Sequence, residues 1–171
     1  MARESGLALL ALACLPGCSL ILNFSDSEIP KDAPIDGPFT AAECSYDTPN
    51  GTFDTAAMIT PGVDTGPAAV CAPPDGQTED DHYYKFAVPG TAASVTVSIM
   101  FVNAIGDLDL KLFDSTATMI AGSFGFGDGE TIVCPATSPS CPLLAAGTYV
   151  FEVLPATPDQ ENNYTFSVTV Q

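Results

Sequence analysis

Residues 106 to 123 read GDLDLKLFDSTATMIAGS. Leu108, Leu110 and Leu112 alternate with Asp107, Asp109 and Lys111, the two-residue period of a strand with one dry face and one wet face. Asp114, Ser115 and Thr116 follow as turn formers whose side chains bond their own backbone, and Met119 to Ala121 resume an apolar run. The stretch reads as a hairpin.

The same grammar continues on both sides. Upstream, Tyr84, Phe86 and Val88 alternate with Tyr83, Lys85 and Ala87; after Pro89-Gly90, Val95, Val97, Ile99 and Phe101 alternate with Ser94, Thr96 and Ser98. Downstream, Glu130 to Cys134 is a short strand, and Tyr149, Phe151 and Val153 share a face of the next. Tyr164, Phe166, Val168 and Val170 alternate with Thr165, Ser167 and Thr169 in the last. Glycine density makes Gly122 to Gly129, GSFGFGDG, a loop. Before residue 80, Thr65-Gly66-Pro67 reads as a turn and Ala68 to Cys71 as a short strand, while Thr55 to Ile59 fits a helical turn or a strand equally. About seven or eight strands at intervals of roughly ten residues predict an all-β fold, an antiparallel β-sandwich or jelly roll. It spans residues 43 to 171.

Composition bounds the function. The chain of 171 residues is 46% hydrophobic with ten Phe, enough to bury a core, and its 14 Gly and 15 Pro suit tight turns better than long helices. Twenty-one acidic residues against four basic ones give a net charge of −17, which repels phosphate backbones and excludes nucleic acid as a partner. Such acidity suits an exported, soluble monomer, and carboxylates are also the groups that hold a hard cation such as calcium.

At the N-terminus, Arg3 precedes an apolar run from Gly6 to Leu15, too short to span a bilayer but the length of a signal-peptide core. Leu15-Pro16-Gly17-Cys18 resembles the lipobox of a bacterial lipoprotein signal. That resemblance implies removal of residues 1 to 17, a lipid on Cys18 and attachment to the cell envelope. Ser19 stands where an Asp would retain the protein at the inner membrane, which favours the outer membrane, with plain secretion as the alternative. Glu4, which offsets Arg3, and Pro16 depart from the pattern. Residues 18 to 42 then read as a tether, with Pro30, Pro34 and Pro38 among acids and no sustained period. With Cys14 in the removed segment, Cys44, Cys71, Cys134 and Cys141 remain besides Cys18. In an oxidising compartment these are expected to pair as Cys44 with Cys71 and Cys134 with Cys141.

DDHYYKFAVPG, VTVSIMF, GDLDLKLFD, AAGTYVFEV and NNYTFSVTV, in that order over about residues 44 to 171, resemble the bacterial pre-peptidase C-terminal domain. The resemblance implies a β-sandwich of the kind appended to secreted proteases and found in lipoproteins. In the family an opening segment rich in Glu, Asn and Asp precedes an Ala; here the segment keeps Asn50 and Ala56 but lacks the acids. Collagen-binding relatives take calcium ligands from that segment, so the resemblance makes Asn50, Asp54, Asp80 and Asp81 the candidate calcium set, with Asp47 close by in sequence.

Catalytic machinery is sparse. His82 is the one histidine, which excludes a His-rich zinc site, and neither a zincin helix nor a Gly-x-Ser-x-Gly elbow occurs. His82 itself, between Asp81 and Tyr83 at a strand start, is expected in a solvent-facing or strand-edge role, with Asp80 and Asp81 capping the strand end in water. Asp107 and Asp109 share a strand face, but Lys111 extends it and makes a charge pattern the simpler reading. GSFGFGDG lacks the lysine or helix start of a phosphate cradle. Phe124 and Phe126 within it either tuck under the sheet or stand out as a contact patch. The expected protein is a non-enzymatic cell-surface lipoprotein that needs no cofactor. It binds a polysaccharide or protein through Tyr83, Tyr84, Phe124 and Phe126, or else serves as a structural or chaperone-like partner of a secreted protease; a hydrolase is the last alternative.

Overall fold

A computed structural model describes residues 49–74, 79–90, 92–138 and 140–171. The expected signal segment, Cys18, the tether and Cys44 lie outside the described residues. Among the described residues eleven strands run in chain order: β1 (Ala57–Met58), β2 (Thr65–Val70), β3 (His82–Val88), β4 (Val95–Met100), β5 (Leu108–Phe113), β6 (Met119–Ser123), β7 (Gly129–Cys134), β8 (Ala136–Thr137), β9 (Ser140–Cys141), β10 (Gly147–Pro155) and β11 (Asn162–Val170). No helix occurs among the described residues. The strands beyond the expected count, β1, β8 and β9, have two residues each, too short to show a period.

Two sheets form the sandwich, one ordered β1-β3-β10-β5-β6 and the other β2-β11-β4-β7, with β8-β9 as a separate ribbon. The hairpin of residues 106 to 123 is present: β5 and β6 pair antiparallel with Leu110 opposite Ser123 and Leu112 opposite Ala121. Its turn is built by Asp114, whose Oδ1 accepts from the Thr116 amide at 2.8 Å, the Thr118 amide at 3.1 Å and the Thr116 hydroxyl at 2.6 Å. Ala117 takes a φ of 61° to close it. These bonds explain why Asp and Thr stand there: one carboxylate oxygen gives two turn amides a local partner, and the Thr116 hydroxyl adds a third bond to it.

Alternation carries the core. Leu108, Leu110 and Leu112 are fully buried together with Phe86, Phe151 and Val153 from the first sheet, and they meet Val70, Val97, Ile99, Ile132, Tyr164 and Phe166 from the second. Two local expectations are corrected, and one open choice, at Thr55 to Ile59, is decided. Thr65-Gly66-Pro67 lies within β2, paired to β11 up to Phe166 opposite Thr65. Pro67 is tolerated because β2 is an edge strand that need not donate on its open side. Residues 57–58 form a strand that pairs parallel with β3, Ala57 opposite Tyr84, so the first sheet is not purely antiparallel. Gly122 and Ser123 belong to β6, leaving 124–128 as the loop.

Cys134 and Cys141 are bridged, with Cα atoms 5.0 Å apart, and the bridge ties the end of β7 to the β8-β9 ribbon. Cys71 is also disulfide-bonded; the Cys44 expected to pair with it lies outside the described residues. Replacing Cys134 and Cys141 together by Ser is expected to lower stability by about 2 to 3 kcal/mol, the closure entropy of a loop this short. Urea denaturation of the two proteins measures it.

Candidate functional site

The two outer faces differ in chemistry. On the first sheet, Glu152 of β10 stands between Tyr83 of β3 and Lys111 of β5. It is buried, accepts the Tyr83 hydroxyl at 2.5 Å and pairs with Lys111 Nζ at 3.1 Å. Asp81 and Asp109 flank this pair. Burial, followed by the charges of Glu152, Glu79 and Asp80, raises the Asp81 carboxyl from the ordinary 3.8 to about 6 against the opposing pull of Lys111. Burial, then Asp107 and Glu130, does the same to Asp109, also to about 6. Asp107 departs from the expected wet face: it is buried, its Oδ1 has no partner and its carboxyl is pushed up by burial and by Glu130.

These shifts fix a pH dependence. A carboxyl whose folded pKa lies above its unfolded one binds more protons in the folded state between the two values. The stability contributed by these two carboxyls is therefore fully present below about 3.8 and is lost as pH rises through about 6. Water screening at these half-buried groups limits the effect to about 1 kcal/mol. A thermal midpoint higher at about pH 5 than at about pH 7.5 is expected, with Asp81→Asn and Asp109→Asn each flattening the difference.

At one end of the sandwich two loops are latched together. The Asn103 amide donates to Asp128 Oδ1 at 3.0 Å, Asn103 Nδ2 to the Phe126 carbonyl at 3.2 Å, and the Phe101 amide to the Asp128 carbonyl at 3.3 Å. Glu130, buried at the base, accepts from the Gly125 amide at 2.8 Å and from the Ser123 hydroxyl. On this scaffold Phe126 is 88% exposed and Phe124 53%. The Phe124 ring lies over Gly122, where a Cβ would come within 2.4 Å of it. Val102 and Ile105 on the neighbouring loop are exposed as well. Of the two readings left open for these phenylalanines, the structure selects exposure, because the loop's hydrogen bonds hold its backbone outside the sheet.

Tyr84, expected at the contact surface, is in the core at 9% exposure, stacked on Phe151 at 5.1 Å between centroids. It shares the inward face of β3 with Phe86, so its ring has no route to a ligand. Tyr83, on the opposite face, is half-buried against Glu152. His82, expected in solvent or at a strand edge, begins β3, which is flanked by β1 and β10, and is 2% exposed. Its Nδ1 lies 2.7 Å from the Tyr164 hydroxyl, which lies 2.8 Å from that of Tyr84. Asp80, expected in water, is buried too; its Oδ2 accepts from the Cys71 amide at 3.0 Å and lies 3.5 Å from His82 Nε2. The alternation of β3, begun at His82 rather than at Tyr84, accounts for the inward histidine. Buried polar groups of this kind are kept in place by one another, and here they sit out of reach of any substrate.

No family description and no curated protein matches the sequence. Among solved structures, the chain is similar to the pre-peptidase C-terminal (PPC) domain of collagenase from Bacillus anthracis. The TM-score is 0.50 at 16% identity, covering 67% of this chain and 94% of that one. The fold is PPC-like.

Placed on this PPC-like sandwich, the candidate calcium set does not form a cage. Asp80 faces the Cys71 amide, and Asp81 points to the Glu152 side of the sheet. Asn50 spends its amide on the Tyr83 carbonyl at 3.1 Å, and Asp54 is exposed. Among the described residues no three His, Cys, Asp or Glu side chains group to hold a metal. Asn103, Asp128 and Glu130, which build the tip, escaped sequence reading. The available signal was an Asn and an Asp-Gly at the ends of two neighbouring strands.

Proposed function

We propose that the protein is a non-catalytic module of the bacterial cell envelope, held by a lipid on Cys18. In this reading its PPC-like sandwich binds a protein partner through the tip carrying Phe124 and Phe126. The observation that supports this most is Phe126, a large aromatic left 88% exposed on a loop that hydrogen bonds hold in shape. Rigid aromatic anchors of this type dominate protein interfaces because they bury much area while ordering few rotamers. The interior position of the one histidine argues in the same direction, against hydrolysis. A second reading, an accessory partner of a separately encoded protease, draws support from the PPC domain of a collagenase among the similar structures.

A photo-crosslinking side chain at position 126 of the full chain in cells tests the tip: one discrete protein adduct is expected, and its identity separates a protease from another envelope protein. Absence of an adduct overturns the reading. Phe126→Ala is expected to abolish association while changing stability by less than about 0.5 kcal/mol. Cys18→Ser should move the protein from the membrane to the soluble fraction; unchanged fractionation defeats the anchor. No cofactor enters this reading, and thermal midpoints with calcium and with chelator are expected to coincide. A rise with calcium would give Asn50, Asp54, Asp80 and Asp81 a role their present geometry does not prepare.

A further inference from the structure

The outer face of the second sheet is chemically unlike the rest of the molecule. In a chain of net charge −17, no outward position of β2, β4, β7 or β11 ionises. Thr96, Ser98, Thr131, Thr165, Ser167 and Thr169 point outward instead, because their neighbours Val97, Ile132, Phe166 and Val168 point into the core. Ser98 and Thr131 stand close enough to share a hydrogen bond at 3.1 Å across adjacent strands. The face is thus dominated by hydroxyls, with Met100 and Val133 as exposed apolar side chains beside them.

That face is also concave. A cavity of about 490 Å³ lies along β11, with Thr165 and Ser167 at its floor. Asp64, Gly66 and Pro67 form one wall, Ser98 and Met100 the other. The first wall stands where β2 slips register against β11 between Tyr164 and Phe166. Gly66 lies so close to Thr165 that a Cβ there would meet its Cγ2 at 2.7 Å. Two strand spacings, about 10 Å, separate the walls, enough for a single extended polymer chain.

We infer that this groove binds a linear neutral polysaccharide, independently of the aromatic tip. Each serine or threonine hydroxyl both donates and accepts, so the floor can meet sugar hydroxyls in either sense. The Asp64 carboxylate at the rim accepts from a vicinal diol, and the exposed Met100 side chain supplies an apolar surface for the C–H face of a ring. A polyanion is opposed by the net charge. An extended peptide docks on free backbone donors and acceptors at a sheet edge, whereas β11 is paired on both sides, by β2 and by β4, and offers side chains alone.

Affinity electrophoresis of the full chain under native conditions tests this, since its charge carries it readily into the gel. Gels containing hydroxyethylcellulose, laminarin or mixed-linkage β-glucan supply the neutral polymers, and alginate supplies the anionic one. Retardation by at least one neutral polymer and none by alginate is expected. Thr165→Val with Ser167→Val places strand-favouring β-branched residues at both positions and removes both floor hydroxyls, and it is expected to weaken binding about tenfold. An unchanged thermal midpoint of that variant shows that the sheet is intact. No retardation by any neutral polymer, equal retardation by alginate, or equal retardation of the double variant overturns the inference. Loss of retardation in Phe126→Ala but not in the double variant also overturns it, by moving the sugar site to the tip and leaving the groove empty of function.

Discussion

Replacing Phe166 by alanine lowers the free energy of unfolding by about 3 to 5 kcal/mol, the largest effect expected of any single truncation in this molecule. The ring comes from β11 of the second sheet and lodges among aromatics of the first. Its centroid is 4.3 Å from that of Tyr84 and 5.4 Å from that of Phe151, with Tyr164 of its own strand at 6.3 Å. Removing it deletes the contact that joins the layers, and the surroundings cannot close the gap. The Tyr84 and Tyr164 hydroxyls are bonded to each other, and Tyr164 to His82, so both rings are pinned at their far ends. For a domain whose whole stability is about 5 to 15 kcal/mol, such a loss is a large fraction. Urea denaturation should show a lower midpoint at nearly unchanged slope. A loss under about 1 kcal/mol would mean that the layers do not interlock through this ring.

Lys111→Met lowers stability by about 2 to 3 kcal/mol at about pH 7.5. Lys111 supplies the cation paired with Glu152, on a face that also carries Asp81 and Asp109, and Glu152 is buried. Without the ammonium, a desolvated carboxylate keeps only the Tyr83 hydroxyl for company. The loss is set below that of a fully buried pair because the lysine side chain is partly exposed and water screens it. Two readouts separate this cause from simple repacking. Asp81 and Asp109, both held down by Lys111, should keep their protons to still higher pH in the variant, so the deficit shrinks toward about pH 5. Glu152→Gln in the Lys111→Met background should restore much of the loss, because the uncompensated charge is then gone. A deficit independent of pH and of Glu152 would refute the electrostatic account.

Leu108, Leu110 and Leu112 show why the sandwich was legible in the sequence: when one face is wet and the other dry, a period of two carries the strand, its burial and its register together. β3, β4, β5, β7 and β11 obey that rule. Residues 57–58 escape it because two residues show no period, and Thr65-Gly66-Pro67 because Gly and Pro at an edge strand look like a turn. His82 and Asp80 were misplaced for a different reason. Polarity alone assigns them to water, and only the partners that arrive from residue 71 and residue 164 make their burial affordable. Phe124 and Phe126 lie at the limit of what local sequence can say. Their exposure depends on Asn103, more than twenty positions upstream, and no local pattern announces a latch between loops. The hydroxyl face was written in the alternation of β4 and β11 all along, yet it gained meaning only when β2 rose beside it as a wall.

The margins of the two sheets have one further consequence. β1, at the rim of the first, offers two residues; β6, at the other rim, is five residues long and carries the Phe124 ring over Gly122. On the second sheet, β2 bears Pro67, and β7 runs into a disulfide-held ribbon. None of these borders presents a long, flat row of free amides and carbonyls on which another chain could template itself. Packed shoulder to shoulder at high density, copies of this domain are accordingly protected from zippering into fibrils.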